Sequence, residues 1–466
     1  MILREVLAYC LTRGLTPLAK STFKRPKPEE SRLIAFKLVS QVNREGAYAN
    51  IRLPELLAQS QCDERDRAFA TELSYGTLRM QGKHDFAIST KIDRPFSDLD
   101  PAVVDLLRLG LHQIFEMRVP DHAAVDATVE LARAVAGEGK ASYINAILRS
   151  ILRDPPRFEE IEDLSIRYSH PSWIVSALSD QLGSQERLVD LLQAHNSPVA
   201  PHLVAWPGKS TRDELLAEGG ELISENSYAV RASRMPGSYS AVHQRRAGVQ
   251  DLGSQLISEI FFNTAGDREY LGWLDMCAGP GGKAALLNNL LNTFRPKDNF
   301  TANEPSPHRA ELVSHVVPRD QVISHKGEDL PQLPNTYDRI LIDAPCSGLG
   351  ALRRRPESRW NKSLADLKNL VALQRKLLDA GVAILNDGGV IAYVTCSPHK
   401  SETVAQVADF LYRHKDFLVL SADPFFPDGA RKMNFLQPDG SIQMWSDLHG
   451  TDSMFMVLFS RKATVS

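Results

Sequence analysis

The sequence predicts a doubly wound α/β fold with a mostly parallel sheet over residues 251–466. An all-helical domain (29–154) and a small α+β connecting domain (157–250) precede it. Three observations lead there. Apolar residues recur at three- and four-residue spacing from Glu30 to about Leu152, prolines and glycines then punctuate shorter runs, and beyond Asp251 apolar runs alternate with helical stretches. The length of 466 residues suits roughly three domains, and 43% hydrophobic with 24% charged residues is ordinary globular usage.

Residues 1–28 read as a basic arm, since five basic residues (Arg13, Lys20, Lys24, Arg25, Lys27) and no acid lie between Val6 and Pro28. Glu5 interrupts the short apolar start and no small-residue cleavage site follows, which argues against a secretory signal; an organelle presequence is the lesser alternative. In the helical part the clearest element begins at Asp100, an N-cap followed by Pro101. It carries Val103, Leu106, Leu107, Leu111 and Ile114 on one face. Similar stripes cover Leu33–Val42, Ala68–Leu78 and His122–Ala134, and Asp154-Pro155-Pro156 ends the pattern. Between 157 and 250 the spacing predicts helices at Trp173–Gln181 and Gln185–His195. Short strands follow, separated by Pro201, Pro207, Gly208 and Gly219-Gly220.

In the last part, strands are predicted at Leu271–Met276, Asn299–Asn303, Arg339–Ile342 and Val390–Thr395, and helices at Lys283–Leu291, Pro307–Val316 and Leu364–Leu385. The first strand runs into Cys277-Ala278-Gly279-Pro280-Gly281-Gly282-Lys283 and then a helix, a place where glycines let a ligand approach the backbone and the helix N-terminus. The loop is neither a Walker loop nor a dinucleotide fingerprint, and a plain tight turn is the bland reading. Glu304 ends the next strand, where a carboxylate can accept from a ribose diol, so the two features favour an adenosine-containing ligand. Two further strands end in Asp343-Ala344-Pro345-Cys346-Ser347-Gly348 and Thr395-Cys396-Ser397-Pro398, which places a carboxylate and two thiols at one rim, near Lys283. A set of four ligands at metal spacing is missing, so no metal is expected.

These motifs together closely resemble the S-adenosylmethionine-dependent RNA cytosine-C5 methyltransferases of the Sun type. Asp66-Arg67-Ala68, Tyr75-Gly76, Leu109-Gly110-Leu111, His122-Ala123-Ala124-Val125 and Asn145-Ala146-Ile147-Leu148-Arg149 are similar to the NusB-like domain of the bacterial branch acting on small-subunit (16S) ribosomal RNA. The resemblance spans about residue 30 to the C-terminus. It implies a Rossmann-like methyltransferase domain and S-adenosylmethionine as cofactor, held by Cys277, Ala278, Gly279, Pro280, Gly281, Gly282, Lys283, Glu304, Asp329 and Asp343. It further implies Cys396 as the nucleophile, Cys346 assisting release, Asp343 bonding the base near nitrogen 3 and Lys283 organising that carboxylate. The family's adenine-side acid has no clean match in His325-Lys326-Gly327-Glu328-Asp329: either Asp329 serves, displaced by a few residues, or Lys326 occupies the position of the acid. Ser453 stands where the family commonly has glycine.

Lys+Arg 54 against Asp+Glu 57 gives a net charge of -3, so RNA binding requires local concentrations of positive charge. Leu352–Lys362 carries Arg353, Arg354, Arg355 and Arg359 beside the Cys346 motif, with Trp360 for stacking, and these arginines are expected to contact RNA. The stretch Asn226–Gln250, with Arg231, Arg234, Arg245 and Arg246, is either a second contact or a solvated face. Five scattered cysteines form no disulfide framework, which suits a reducing, cytoplasmic setting. Ribosomal RNA is the expected partner, with no membrane and a monomeric chain. The competing readings are an RNA-binding or assembly factor with a vestigial methyltransferase half and, more distantly, a nicotinamide oxidoreductase.

Overall fold

The computed structural model describes residues 28–223 and 228–462; the basic arm and Cys10 lie outside the described residues. Seven helices open it: Glu30–Glu45, Ala49–Ala58, Glu64–Arg79, Gln81–Ser89, Pro101–Phe115, Asp121–Ala136 and Glu138–Arg153. Asp100 caps the fifth, its carboxylate accepting from the N–H groups of Ala102 (2.9 Å) and Val103 (3.4 Å). The stripe Val103, Leu106, Leu107 and Leu111 is buried against Ile144, Leu148 and Ile151 of the seventh helix, while Leu38, Val42, Leu53, Leu73 and Leu78 close a second core.

The helices Ser172–Leu182 and Gln185–Asn196 follow, and they pack Ile174, Leu178, Leu188 and Leu192 on Leu349 and Leu352, just past the Cys346 motif. Next come β1 (His202–Ala205), β2 (Glu221–Leu222), β3 (Ala229–Arg231) and β4 (Ala247–Val249), an antiparallel sheet in the order β2-β3-β1-β4. Leu203 and Ala205 face the short helices Arg212–Ala217 and Ser240–His243 through Leu215 and Ala241. Val204 and Trp206 face Ala285, Leu286 and Leu290. The small sheet therefore braces the helix that starts at the glycine loop.

The large sheet contains β5 (Gly272–Asp275), β6 (Asn299–Asn303), β7 (Val322–Ile323), β8 (Tyr337–Asp343), β9 (Leu385–Thr395), β10 (Phe417–Leu420), β11 (Ile442–Gln443) and β12 (Phe455–Arg461). Its order is β10-β12-β9-β8-β5-β6-β7, with β11 on β12. Strands β5 to β9 are parallel and β10, β11 and β12 antiparallel. Alternation is strict. Trp273, Leu341, Ala392, Val394 and Met456 enter one core under the helices Leu252–Asn263 and Gly282–Phe294. Leu274, Ile342, Ile391, Tyr393 and Val457 enter the other, under Leu364–Ala383 and Val404–Arg413. Strand β9 starts five residues before the predicted Val390. The Gly388-Gly389 pair lies where the register with β8 shifts between Tyr337 and Arg339, an irregularity the ladder absorbs. Among the described residues no helix is long and apolar enough to cross a membrane.

Candidate active site

Parallel register aligns the carboxyl ends of four strands. Asp275 pairs with Ala302 and Leu341, and Asp343 with Val394, so the loops after β5, β6, β8 and β9 share one rim. Lys283, in the first turn of its helix and buried, reaches across: its Nζ donates to Asp343 Oδ2 at 2.7 Å. Burial works against the ammonium, but the Asp343 charge and hydrogen bond outweigh it and raise its pKa above the ordinary value.

The two thiols meet at the centre of the rim, with Cys346 Sγ and Cys396 Sγ 3.2 Å apart. Their loops are tied together by backbone as well, since Gly350 N donates to the Cys396 carbonyl and Ser453 N donates to the Gly350 carbonyl, both at 2.9 Å. A Cβ on Gly350 would lie 1.7 Å from the Ser453 oxygen, so only glycine fits between these loops. Ser453, at the position where glycine is common, is buried, and its hydroxyl accepts from Ser446 N at 3.1 Å, which accommodates the extra side chain. The thiols differ electrostatically. Hydrogen bonding to Cys396 and then burial push Cys346 well up. Cys396 is lowered, first by the hydrogen bond from Cys346 and then, against burial and Asp343, by the cations of Arg355 and Lys283. Cys396 is thus the better thiolate and Cys346 the better proton holder.

In the glycine loop, Gly281 adopts φ +115° and the helix Gly282–Phe294 has no side-chain cap, leaving its first N–H groups for an acceptor. Glu304, buried, accepts from Gly279 N (3.1 Å) and Ser306 N (2.9 Å) and pairs with Arg309 (3.4 Å). Cys277 stays a thiol, pushed well up by burial and by Asp275. Asp329 is exposed on the turn Gly327–Gln332 beyond β7. Sequence reasoning missed two acids. Asp275 is buried with Oδ2 unbonded among the described residues, and burial, helped by Asp343, pushes it up to about 7. Glu402 is buried under the Cys346 loop, four residues past any motif that could have flagged it. Among the described residues no cluster of three or more His, Cys, Asp or Glu is arranged to hold a metal ion.

Of the four arginines expected to contact RNA, two, Arg353 and Arg359, are buried. Arg359 is fully buried, donating to the carbonyls of Arg79 and Ser169 (3.0 Å each) and His195 (2.8 Å) and to Asn196 Oδ1 (2.8 Å). Arg354 is bonded through two nitrogens to Asp452, and Arg353 donates to the Gly450 carbonyl at 2.7 Å. Trp360 donates its Nε1 to the Leu78 carbonyl at 2.9 Å rather than offering a stacking face. These residues fasten the helical bundle and the C-terminal loops to the segment after Cys346. Arg354 and Arg355 are half-exposed, and the charge of Arg355 acts on Cys396. The earlier run is similarly engaged: Arg231 pairs with Glu221, Arg234 with Glu218 and Arg246 with Glu214, whereas Arg245 is exposed.

Comparison with known proteins adds the following. The family model described as 16S rRNA methyltransferase RsmB/F matches residues 264–460, and the NusB family model matches residues 29–153. A chain of Mycobacterium tuberculosis strain H37Rv, named only as a methyltransferase, is 40% identical over 463 residues, covering 96% of this chain and 100% of that one. The ribosomal RNA small subunit methyltransferase B of Pectobacterium atrosepticum is 31% identical, covering 83% of this chain and 90% of its own. The crystal structure of PH0851 superposes with a TM-score of 0.78 at 20% identity, covering 94% of this chain and 100% of that one. NSun6 from Pyrococcus horikoshii, solved with SFG, gives 0.52 at 16% identity, covering 62% and 98%.

Proposed function

The chain belongs to the RsmB/F family of 16S rRNA methyltransferases, and from that premise we propose that it methylates carbon 5 of a cytosine in small-subunit ribosomal RNA through a covalent bond to Cys396. The observation that carries this reading is the contact of two thiols at the ends of β8 and β9, beside the Lys283–Asp343 pair. Carbon 5 of cytosine is a weak nucleophile, and a thiolate adding to carbon 6 shifts the ring electrons towards it. Cys396 supplies that thiolate. Asp343 bonds the ring near nitrogen 3, where charge develops, and Lys283 fixes the orientation of Asp343. Once carbon 5 carries the methyl group, its proton passes to Cys346 as that thiol hands its own proton to the departing Cys396 sulfur 3.2 Å away, and the carbon-5 electron pair re-forms the ring double bond while the bond from Cys396 to carbon 6 breaks. An extrahelical or loop cytosine suits such a pocket, because a stacked base costs a few kcal/mol to extrude.

S-adenosylmethionine, when bound, supplies an electrophilic methyl group. The residues present fit it. The loop Cys277–Gly282 leaves an uncapped helix N-terminus for a carboxylate, with Glu304 beside it; in this reading Glu304 would take the ribose, Asp329 the adenine side, and Asp343 would stand at the reacting end. A Cβ at position 279 would lie 2.1 Å from Glu304 Oε2, so Gly279→Ala is expected to displace the loop and abolish S-adenosylmethionine binding in calorimetry while the fold persists. Unchanged affinity would remove this loop from the cofactor site.

Ribosomal RNA lacking the modification, incubated with tritium-labelled S-adenosylmethionine, should acquire label on carbon 5 of a cytosine, and Cys396→Ala should reduce it to background. Absence of label with the intact chain would refute the proposal. Bisulfite mapping in cells with and without the protein locates the nucleotide.

A further inference from the structure

Two thiols 3.2 Å apart, on loops of similar sequence, must be given different tasks by their surroundings. The neighbours common to both do not discriminate: Asp343 opposes ionisation of either one. Lys283 and Arg355 favour the thiolate on Cys396. On the other side stands Glu402, at the end of the short turn Lys400–Glu402, with no exposed surface. Its Oε1 accepts from the backbone N–H of Ser347, the residue after Cys346, at 2.8 Å and from Gln374 Nε2 at 3.0 Å. Its Oε2 accepts from the Ser347 hydroxyl at 2.5 Å. No Lys or Arg forms an ion pair with it among the described residues. The same donors span both catalytic loops. Ser347 Oγ lies 3.0 Å from Ser397 Oγ, next to Cys396, and Gln374 Nε2 also donates to the Pro345 carbonyl at 2.9 Å. Charges act on one another more strongly in such a low-dielectric interior than in water.

We infer that Glu402 is a positioning residue that keeps the proton on Cys346, so that Cys396 alone is the thiolate, and that locks the two thiol-bearing loops in register. The inference rests on the reading of Cys396 as nucleophile. The proton stays on Cys346 Sγ because a negative charge there would face Glu402, Asp343 and the Cys396 thiolate together. From that position the S–H donates to the Cys396 sulfur. Glu402→Gln preserves size and an acceptor for the Ser347 N–H while removing the charge.

The test is pulse alkylation of the full chain with iodoacetamide over a pH series, with each cysteine read by mass spectrometry. The intact protein should be labelled at Cys396 first and at Cys346 only at higher pH. In Glu402→Gln, Cys346 labelling should move to lower pH by about one unit, equivalent to about tenfold faster labelling at a fixed pH. A purely structural role would slow or scramble both cysteines without that selective shift. Superimposable Cys346 profiles in a folded variant would overturn the inference. Should the variant fail to fold, the intact protein still decides: Cys346 labelled before Cys396 overturns it, and the reverse order supports it. Carbon-5 methylation dependent on Cys396 is measured separately, so alkylation that contradicts the inference while methylation persists defeats only the role of Glu402.

Discussion

Cys346→Ala should trap the protein on its RNA: with unmodified ribosomal RNA and S-adenosylmethionine present, a protein–RNA species resistant to denaturing gel electrophoresis should accumulate. The reason lies in the order of bonds. Addition of Cys396 to carbon 6 and transfer of the methyl group need the thiolate, Asp343 and the cofactor loop, all of which the variant retains. Release needs removal of the carbon-5 proton and departure of Cys396, and Cys346 lies 3.2 Å from the departing sulfur. Loss of a positioned proton-transfer group costs roughly 10²- to 10⁴-fold in rate, so turnover should fall by that order while the adduct persists. Cys396→Ala and the double variant should give no adduct. The substitution also removes the hydrogen bond that lowers Cys396, so its pKa rises and the thiolate population at a given pH falls. Adduct formation should therefore be slower at neutral pH and recover as pH increases. A Cys346→Ala chain that turns over normally would take Cys346 out of the release step.

Why the two cysteines were legible from sequence and their supporting groups were not is a matter of chain separation. Strand, loop and thiol are contiguous in Asp343–Gly348 and again in Thr395–Ser397, and parallel pairing of β8 with β9 follows from the alternation of strands and helices, so adjacency on one rim was deducible. The glycine loop was readable for the same reason. The arginines behaved otherwise. A run of positive charge reads as an RNA surface, yet Arg354 finds Asp452 98 residues away and Arg359 finds Arg79 280 residues away. Only the fold supplies those acceptors. Glu402 was hidden because its partners, Ser347 and Gln374, lie 55 and 28 residues upstream. The helices of the connecting segment were placed correctly along the chain, but their packing on Leu349 and Leu352 depends on a surface that sequence spacing does not reveal.

Arg359→Met should be the most destabilising substitution among the charged residues of the arginine run. The guanidinium is completely enclosed, and burial lowers its pKa well below the ordinary value, with the Arg79 charge adding to that. No acid pairs with it among the described residues; instead it satisfies four acceptors belonging to three separate elements. Arg79 ends the third bundle helix, Ser169 lies between the bundle and the connecting helices, and His195 and Asn196 end the second connecting helix. Methionine replaces the packing but removes the donor from the Ser169 and His195 carbonyls and from the half-buried Asn196 Oδ1, whereas the Arg79 carbonyl still accepts from the Ser169 hydroxyl. At about 1–3 kcal/mol for each unsatisfied buried group, and with partial relaxation, the loss should be on the order of 3–5 kcal/mol. It should appear as a lower denaturant midpoint. The bundle and the methyltransferase domain meet through this residue together with the Trp360–Leu78 and Ala49–Glu357 hydrogen bonds. Limited proteolysis of the variant should accordingly cut first around Pro155–Tyr168, before the large sheet is lost. A denaturation midpoint equal to that of the intact chain would show that these acceptors find other donors, and the junction would then owe its stability to the apolar contacts of Leu349 and Leu352 with the connecting helices.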